Sequence, residues 1–367
     1  MMTIPVEHNE EINAQILEVS EDQIQGFVEN PIECIAEKSG LPVDTVVERL
    51  RAMLEAGTIR RIRQTLMSVN LAPGALVAWK CPVDKLDKAF NFMYEQDPFS
   101  GHIVIRSTDI ASAGSDYKLW TTLKVPQGYT MDDHCALLME KTGATHYKLM
   151  PAKGVFALGV GHVRRKGMEL GAKTEDKAVM MPTSVVELNE EEWKVLLGLK
   201  RELKPHEVTT NLWQQRAKEV DVPFARFCEV ARSLNERRVI GRFSTFLEHV
   251  KPSNTGQRVT RFNGLFHWSV PQERVMEAGS EIGRHHILTH CYWREGGEEF
   301  KNVNVMAVCH GTEKKRVLEH KAAIDKHLES IAMPVYYTNV FWGGRSEIKP
   351  SEIHPKVYAE WLTRMKG

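Results

Sequence analysis

Thr58-Ile59-Arg60-Arg61-Ile62-Arg63-Gln64-Thr65-Leu66 returns, altered but in phase, as Val239-Ile240-Gly241-Arg242-Phe243-Ser244-Thr245-Phe246-Leu247. Upstream, with no gap, Ala36 falls on Ala217 and Pro42 on Pro223. Downstream, Trp79-Lys80-Cys81-Pro82 meets Trp268-Ser269-Val270-Pro271 after an insertion around Ser253 to Arg258. His102-Ile103-Val104-Ile105-Arg106 then meets His290-Cys291-Tyr292-Trp293-Arg294. Each match is weak alone, but matches in one order with consistent spacing indicate an internal duplication. The joint is read near Gly167 to Ser184, where Gly, Lys, Thr, Met and Pro replace apolar periodicity and predict a linker. This divides the chain into halves of roughly 1–166 and 185–367.

Each half opens with helical patterns. Pro31 to Ser39 predicts a short helix ended by Gly40. Pro42 to Ala56 predicts a second, with Val43, Val46, Val47, Leu50, Met53 and Leu54 at three- and four-residue spacing and a stop at Gly57. Two short helices about a turn, then Ile-Arg-Arg and a β-like run, form the pattern of a winged helix-turn-helix. Asn211 to Arg237 repeats it, with Asp221 in the place of Gly40.

The rest of each half alternates strand and helix. In the first copy these are Ala75–Lys80, Val83–Tyr94, Ile103–Ser107, Lys118–Lys124, Met131–Thr142 and His146–Met150. In the second they are Gly264–Val270, Pro271–Gly283, Ile287–Trp293, Val303–Cys309, Glu313–Ile331 and Val335–Phe341. The order is βαββαβ, which is ferredoxin-like. The predicted fold is therefore α+β, a tandem duplication of a winged helix-turn-helix followed by a ferredoxin-like unit. Its segments are 10–74 and 75–166, a linker at 167–184, then 185–252 and 259–345, and a C-terminal tail at 346–367.

At 367 residues the chain has room for two to four compact units. Its 48 basic and 48 acidic side chains balance, which argues against binding driven mainly by phosphate neutralisation. The start lacks the basic and apolar regions of a signal peptide, and no window approaches the apolar length of a membrane span. Cys34, Cys81, Cys135, Cys228, Cys291 and Cys309 form no CxxC pair. A cytoplasmic chain with no membrane partner is the expectation. P-loop, dinucleotide, HExxH and GxSxG motifs are absent from the sequence, so the chemistries they serve lack support.

A winged helix followed by a βαββαβ unit resembles the Lrp/AsnC family of regulators, over essentially both halves. The second half is more narrowly similar to the siroheme decarboxylase branch of that superfamily. Those enzymes carry an Ile-Arg-Arg-like start to the wing, a His-x-Tyr-x-Arg motif and a strand ending in His-Gly. Here the places are held by Val239 to Phe243, by His290, Tyr292 and Arg294, and by Val303 to His310-Gly311. In the first half the motif tyrosine is Val104 and the late histidine is Lys124. The resemblance implies the fused form of a two-subunit enzyme, with the complete row in the second half only.

That resemblance implies a lyase removing CO2 from acetate side chains of siroheme, giving didecarboxysiroheme, in haem or haem d1 biosynthesis. The alternative is a DNA-binding regulator sensing a small molecule or haem. On a strand, His290, Tyr292 and Arg294 share one face while Cys291 and Trp293 take the other. His290 is the candidate general acid, Arg294 can grip a carboxylate and Tyr292 can orient it. Plainer readings stand beside these: His290 as a hydrogen-bonded strand residue, Tyr292 with Arg294 as a cation–aromatic pair, His310 as a strand end. Candidate substrate-binding residues are Arg242, His310, His102 and Arg106, with His249 flanking the second wing. His102 and Arg106, separated by Val104, suit binding without catalysis.

No metal site is assigned: His285 and His286 are adjacent, and neighbours on one element rarely chelate together. No cofactor is expected beyond the iron that siroheme itself brings. The second helices open Pro42-Val43-Asp44-Thr45 and Pro223-Phe224-Ala225-Arg226-Phe227. Both are poor in residues that read base edges, so a tetrapyrrole rather than nucleic acid is the expected partner. Two ferredoxin-like sheets in one chain suggest an intramolecular pseudo-dimer, with further homo-oligomerisation left open.

Overall fold

The computed structural model describes residues 4–67, 70–158, 169–181, 185–248 and 260–366. His249, most of the inserted loop and parts of the joint lie outside the described residues. The first winged-helix copy runs α1 (Glu11–Ser20), β1 (Ile24–Gln25), α2 (Pro31–Ser39), α3 (Val43–Glu55) and β2 (Ile59–Leu66). The first ferredoxin-like copy is β3 (Gly74–Lys80), α4 (Leu86–Glu95), β4 (Ser100–Ser107), β5 (Leu119–Lys124), α5 (Met131–Thr142) and β6 (His146–Pro151). An added strand, β7 (Gly154–Leu158), follows it. The second winged-helix copy is α6 (Glu190–Lys200), α7 (Leu212–Glu219), α8 (Phe224–Glu236) and β8 (Ile240–Leu247). The second ferredoxin-like copy is β9 (Phe262–Ser269), α9 (Val275–Gly283), β10 (Leu288–Trp293), β11 (Val305–Gly311), α10 (Lys314–Ser330) and β12 (Tyr337–Ile348). A last helix, α11 (Pro355–Lys366), closes the chain.

The four segments read from sequence assemble by type rather than by half. The chain forms two compact units sorted by type: one holds both winged-helix copies, the other both ferredoxin-like copies.

In the winged-helix unit, the strand expected to start each wing pairs with its counterpart. β2 runs antiparallel to β8 from Ile59 opposite Leu247 to Leu66 opposite Ile240, and β1 adds to the far side of β8. The helix periodicity read from sequence is used for packing. Val46, Leu50 and Met53 of α3 are fully buried, as are Phe227, Ala231 and Leu234 of α8. Two turn positions must reverse the chain in the left-handed region, where a side chain costs energy. The first copy fills them with Gly40 (φ 70°) and Gly57 (φ 73°); the second uses Asp221 (φ 53°) and Arg238 (φ 57°).

The second unit is a single nine-stranded sheet system in the order β6-β3-β5-β4-β12-β9-β11-β10-β7. Each copy contributes its strands in the order fourth-first-third-second, as a ferredoxin-like unit requires. The fourth strand of each copy then continues into the other copy's sheet. β12 pairs with β9 through Trp342 and with β4 from there to Ile348. Likewise β6 pairs with β3, and β7, two residues further on, pairs with β10.

Alternation along the strands produces three apolar layers. One face of the first copy packs Val77, Trp79, Ile103, Leu119 and Leu123 against α4 and α5. One face of the second packs Phe266, Trp268, Cys291, Val305 and Cys309 against α9 and α10. The opposite faces of both copies meet in a middle layer of Ala78, Val104, Trp120, Met150, Leu265, Phe300, Met306 and Phe341.

The linker and the C-terminal tail are both built into this unit. The described part of the linker, 169–181, is hydrogen-bonded along the second copy. Thr174 N–H donates to Arg284 O, Ala178 N–H to Ser280 O, and His286 N–H to Ala172 O. The C-terminal tail is a strand end and a helix rather than a loose extension. Tyr358 and Trp361 of α11 are 2% and 1% exposed and complete the first copy's outer core against Phe99 and His134.

Candidate functional site

The strand β10 sets the site because its alternation is strict where it matters. Cys291 belongs to the outer core of the second copy. His290, Tyr292 and Arg294 therefore face the middle layer, and Tyr292 lies in register with Met306, a member of that layer. The His290 and Tyr292 rings are near parallel (14°) with centroids 5.9 Å apart. Beyond them, the Arg294 guanidinium carbon lies 4.5 Å from the centre of the Tyr292 ring. The cation–aromatic pair and the one-face row read from sequence are thus both present.

His290 Nδ1 is 3.0 Å from Thr289 Oγ1, which orients the ring. Burial holds the Tyr292 hydroxyl above the usual phenol range, against the downward pull of Arg294. Burial lowers Arg294 in turn, while Tyr292 raises it. A guanidinium remains charged under either influence. Arg294 also donates through Nη1 to Met150 O, tying β10 to the first copy.

His310 is the last residue but one of β11, next to β10, and shares the parity of Met306 and Val308, so it too faces the middle layer. In the first copy, β4 presents His102, Val104 and Arg106 to the same layer, with Ile103 in the outer core. His102 Nε2 is 2.7 Å from Ser346 Oγ of β12. Arg106 is 4% exposed and donates to Phe341 O (3.3 Å) and Asn263 Oδ1 (3.5 Å). Burial lowers its guanidinium to about 10. Through the pairings of β3 with β6 and β9 with β12, Met150 and Phe341 occupy equivalent positions. Arg294 and Arg106 therefore make equivalent ties, each to the other copy's fourth strand.

Arg242 is in the winged-helix unit and does not belong to the unit that carries the row. Thr65 Oγ1 accepts from its N–H at 2.7 Å and donates to its carbonyl at 2.9 Å. Among the described residues, no group of three or more His, Cys, Asp and Glu could hold a metal ion. His285 is 3% exposed just past the end of α9, its N–H bonded to Ile282 O, and burial pushes its imidazole down to about 3. His267 is 1% exposed among Trp120 and Phe341, and burial likewise pushes it to about 3. Both are neutral near pH 7.

Sequence reasoning did not single out Lys124. It ends β5 on the middle-layer face, and burial, then Arg294, lowers its ammonium to about 7. The available signal was its alignment with His310, which marks the position without giving its surroundings.

The comparisons with known proteins agree with this architecture. The AsnC-like ligand binding domain matches twice, at residues 71–156 and 260–339, which are the two ferredoxin-like copies. A siroheme decarboxylase of Hydrogenobacter thermophilus (strain DSM 6534 / IAM 12695 / TK-6) is 25% identical over 323 residues, 87% of this chain and 90% of that protein. The crystal structure of the siroheme decarboxylase NirDL superposes with a TM-score of 0.67 at 19% identity, covering 98% of this chain and all (100%) of that one. Its co-complex with an iron-uroporphyrin III analogue gives 0.65 at 19% identity, over 97% of this chain and 100% of that chain. At that identity the structures speak for the fold. The chain is thus similar to a siroheme decarboxylase along most of its length, and it carries the AsnC-like ligand binding domain twice.

Proposed function

We propose that the chain removes CO2 from acetate side chains of siroheme, in a site whose reacting groups lie on β10 of the second copy. The observation that carries this reading is the row itself. A histidine, a tyrosine and an arginine share one face of one strand, beside a middle layer that holds Val104, Trp120, Met306 and Phe341.

Loss of CO2 leaves an electron pair on the side-chain carbon, which the macrocycle of the bound substrate can delocalise. That carbon must then take one proton to become a methyl group. His290 supplies it, from a ring held in place by Thr289 and Tyr292. Arg294 has an anchoring role, and the choice of carboxylate matters. A guanidinium gripping the carboxylate that leaves would stabilise the ground state over the transition state and slow the step. Arg294 is therefore assigned to a carboxylate that stays, with the reacting acetate left beside apolar groups. Tyr292 orients that acetate through its hydroxyl.

The iron arrives with the substrate, and no separate cofactor is proposed. His310, His102 and Arg106 are assigned to substrate binding or to the walls of the site. The continuation of each copy's fourth strand into the other sheet supports a pseudo-dimer within one chain. No helix among the described residues is long and apolar enough to cross a membrane. Six cysteines without disulfides fit a reducing compartment, and the cytosol is the proposed location. A DNA-binding regulator is not favoured: the wing strands pair with each other, and the full-length relative is a decarboxylase.

Anaerobic incubation with siroheme, followed by mass analysis of the tetrapyrrole, tests the reading. Loss of one CO2 per reacted acetate is expected from the unaltered protein. Recovery of unchanged siroheme would overturn it.

A further inference from the structure

The most unusual charge in the ferredoxin-like unit is Lys124. Lys124 is half-buried, and its place in the fold explains how. Lys124 stands in register opposite Gly74 across β5 and β3. The lysine side chain lies over that glycine: a Cβ built on Gly74 would sit 2.7 Å from Nζ, 3.1 Å from Cε and 3.2 Å from Cδ. The equivalent pair in the second copy is His310 opposite Asn263. There a side chain fills the space that Gly74 leaves open, and its Oδ1 accepts from Arg106. The first copy has instead a glycine, and a long cation folded across it.

Lys124 faces the middle layer, as Arg294 does from the opposing copy. Leu119 and Leu123, of the other parity on β5, belong to the outer core. Arg294 reaches the same corner, because Met150, whose carbonyl it holds, pairs with Leu76 two residues beyond Gly74. Arg294 is the charged group that acts on Lys124, and it is a like charge. Among the described residues, Lys124 Nζ has no hydrogen-bond or ion-pair partner. Two half-buried cations that converge with no carboxylate between them among the described residues repel one another, and an anion that joins them relieves the repulsion.

We propose that Lys124 is a substrate-binding residue lent by the first copy to the second copy's site, where it and Arg294 together hold one carboxylate of a polycarboxylate tetrapyrrole. The inference rests on the reading of the β10 row as the substrate site. When the carboxylate enters, neutral Lys124 takes a proton from solvent and becomes the ammonium that pairs with it. Binding is therefore linked to proton uptake, and it strengthens as pH falls from about 8 to about 6.

The test is absorbance titration of the full-length protein with siroheme under anaerobic conditions, across that pH range, for the unaltered protein, Lys124→Met, Lys124→Arg and Gly74→Ala. Lys124→Met is expected to weaken binding about tenfold or more at the low end and to flatten its pH dependence. Lys124→Arg keeps a cation that does not titrate, so binding returns while the pH dependence stays flat. Gly74→Ala retains the lysine but displaces its head, giving an intermediate loss; this variant carries the test if Lys124→Met does not fold. Unchanged affinity and pH dependence in Lys124→Met, beside an unaltered protein that binds and decarboxylates siroheme, would overturn the proposal and leave the function standing. An unaltered protein that binds no siroheme would overturn both.

Discussion

The strands β4 and β10 occupy equivalent positions in two copies of one fold, and they differ in what they hold out. β4 presents His102, Val104 and Arg106; β10 presents His290, Tyr292 and Arg294. Both arginines tie their strand to the other copy's fourth strand by the same backbone contact, to Phe341 O and to Met150 O. Scaffold chemistry is thus conserved between the copies within this chain, while the groups able to handle a substrate are not. Val104 is 2% exposed and packs in the middle layer with Trp120, where its counterpart Tyr292 instead stacks between His290 and Arg294. Opposite the rows the asymmetry reverses: Lys124 over bare Gly74 faces the second copy's arginine, and His310 with Asn263 faces the first copy's. Duplication keeps the frame and frees individual side chains to specialise, so a fused chain can hold one reacting centre built from both copies.

The largest effect should come from separating the two histidines. His290→Ala is expected to lower kcat about a hundredfold to ten-thousandfold, the usual worth of a positioned proton donor, with siroheme still bound. His102→Ala should act on KM instead. Steady-state decarboxylation rates for both variants read this directly, and equal loss of kcat in both would break the asymmetry.

The next contrast concerns what covers the outer faces. α11 packs on the first copy, and Trp361 stacks on His134 at 4.9 Å while donating to Gln96 O. Trp361→Ala should cost about 3–5 kcal/mol of stability, seen as an earlier denaturant midpoint. A midpoint near that of the unaltered protein would mean the helix is an appendage after all.

Lys124 gives a pH signature without substrate. Its folded-state value, about 7, lies below that of an exposed lysine near 10.5. The unfolded chain therefore binds more protons between those values, and Lys124's contribution to stability is complete above 10.5 and lost as pH falls toward 7. Lys124→Met should remove that slope, worth a few kcal/mol at most, in denaturant melts at pH 7 and pH 9. The smallest effect is at the turns. Arg238→Gly, imitating Gly57 of the first copy, should leave stability within about 1 kcal/mol, with relief of the left-handed strain offset by backbone entropy.

Much of this frame was legible because the signals are local. The bounds of α2 follow from Pro31 and Gly40, those of α3 from Pro42 and Gly57. The strand β10 follows from its alternation, and the grouping of His290, Tyr292 and Arg294 is the same observation. What escaped depends on partners distant in sequence. Gly154 to Leu158 is a short apolar run whose meaning comes only from pairing with β10. Tyr358 and Trp361 lie in what reads only as a C-terminal tail until Phe99 and His134 are placed beneath them. Ile59 to Leu66 reads as a wing until β8 is laid against it. Lys124 was visible as a departure from His310, but its role needs Gly74 in register and Arg294 from the other copy.

The asymmetry is tested most directly by product mass after anaerobic incubation of siroheme with equal amounts of the unaltered protein, His102→Ala and His290→Ala, at saturating substrate. The unaltered protein and His102→Ala should each yield a tetrapyrrole lighter by CO2, with siroheme returned intact from His290→Ala over the same time. Conversion by His290→Ala at the rate of the unaltered protein would contradict a reacting centre on β10.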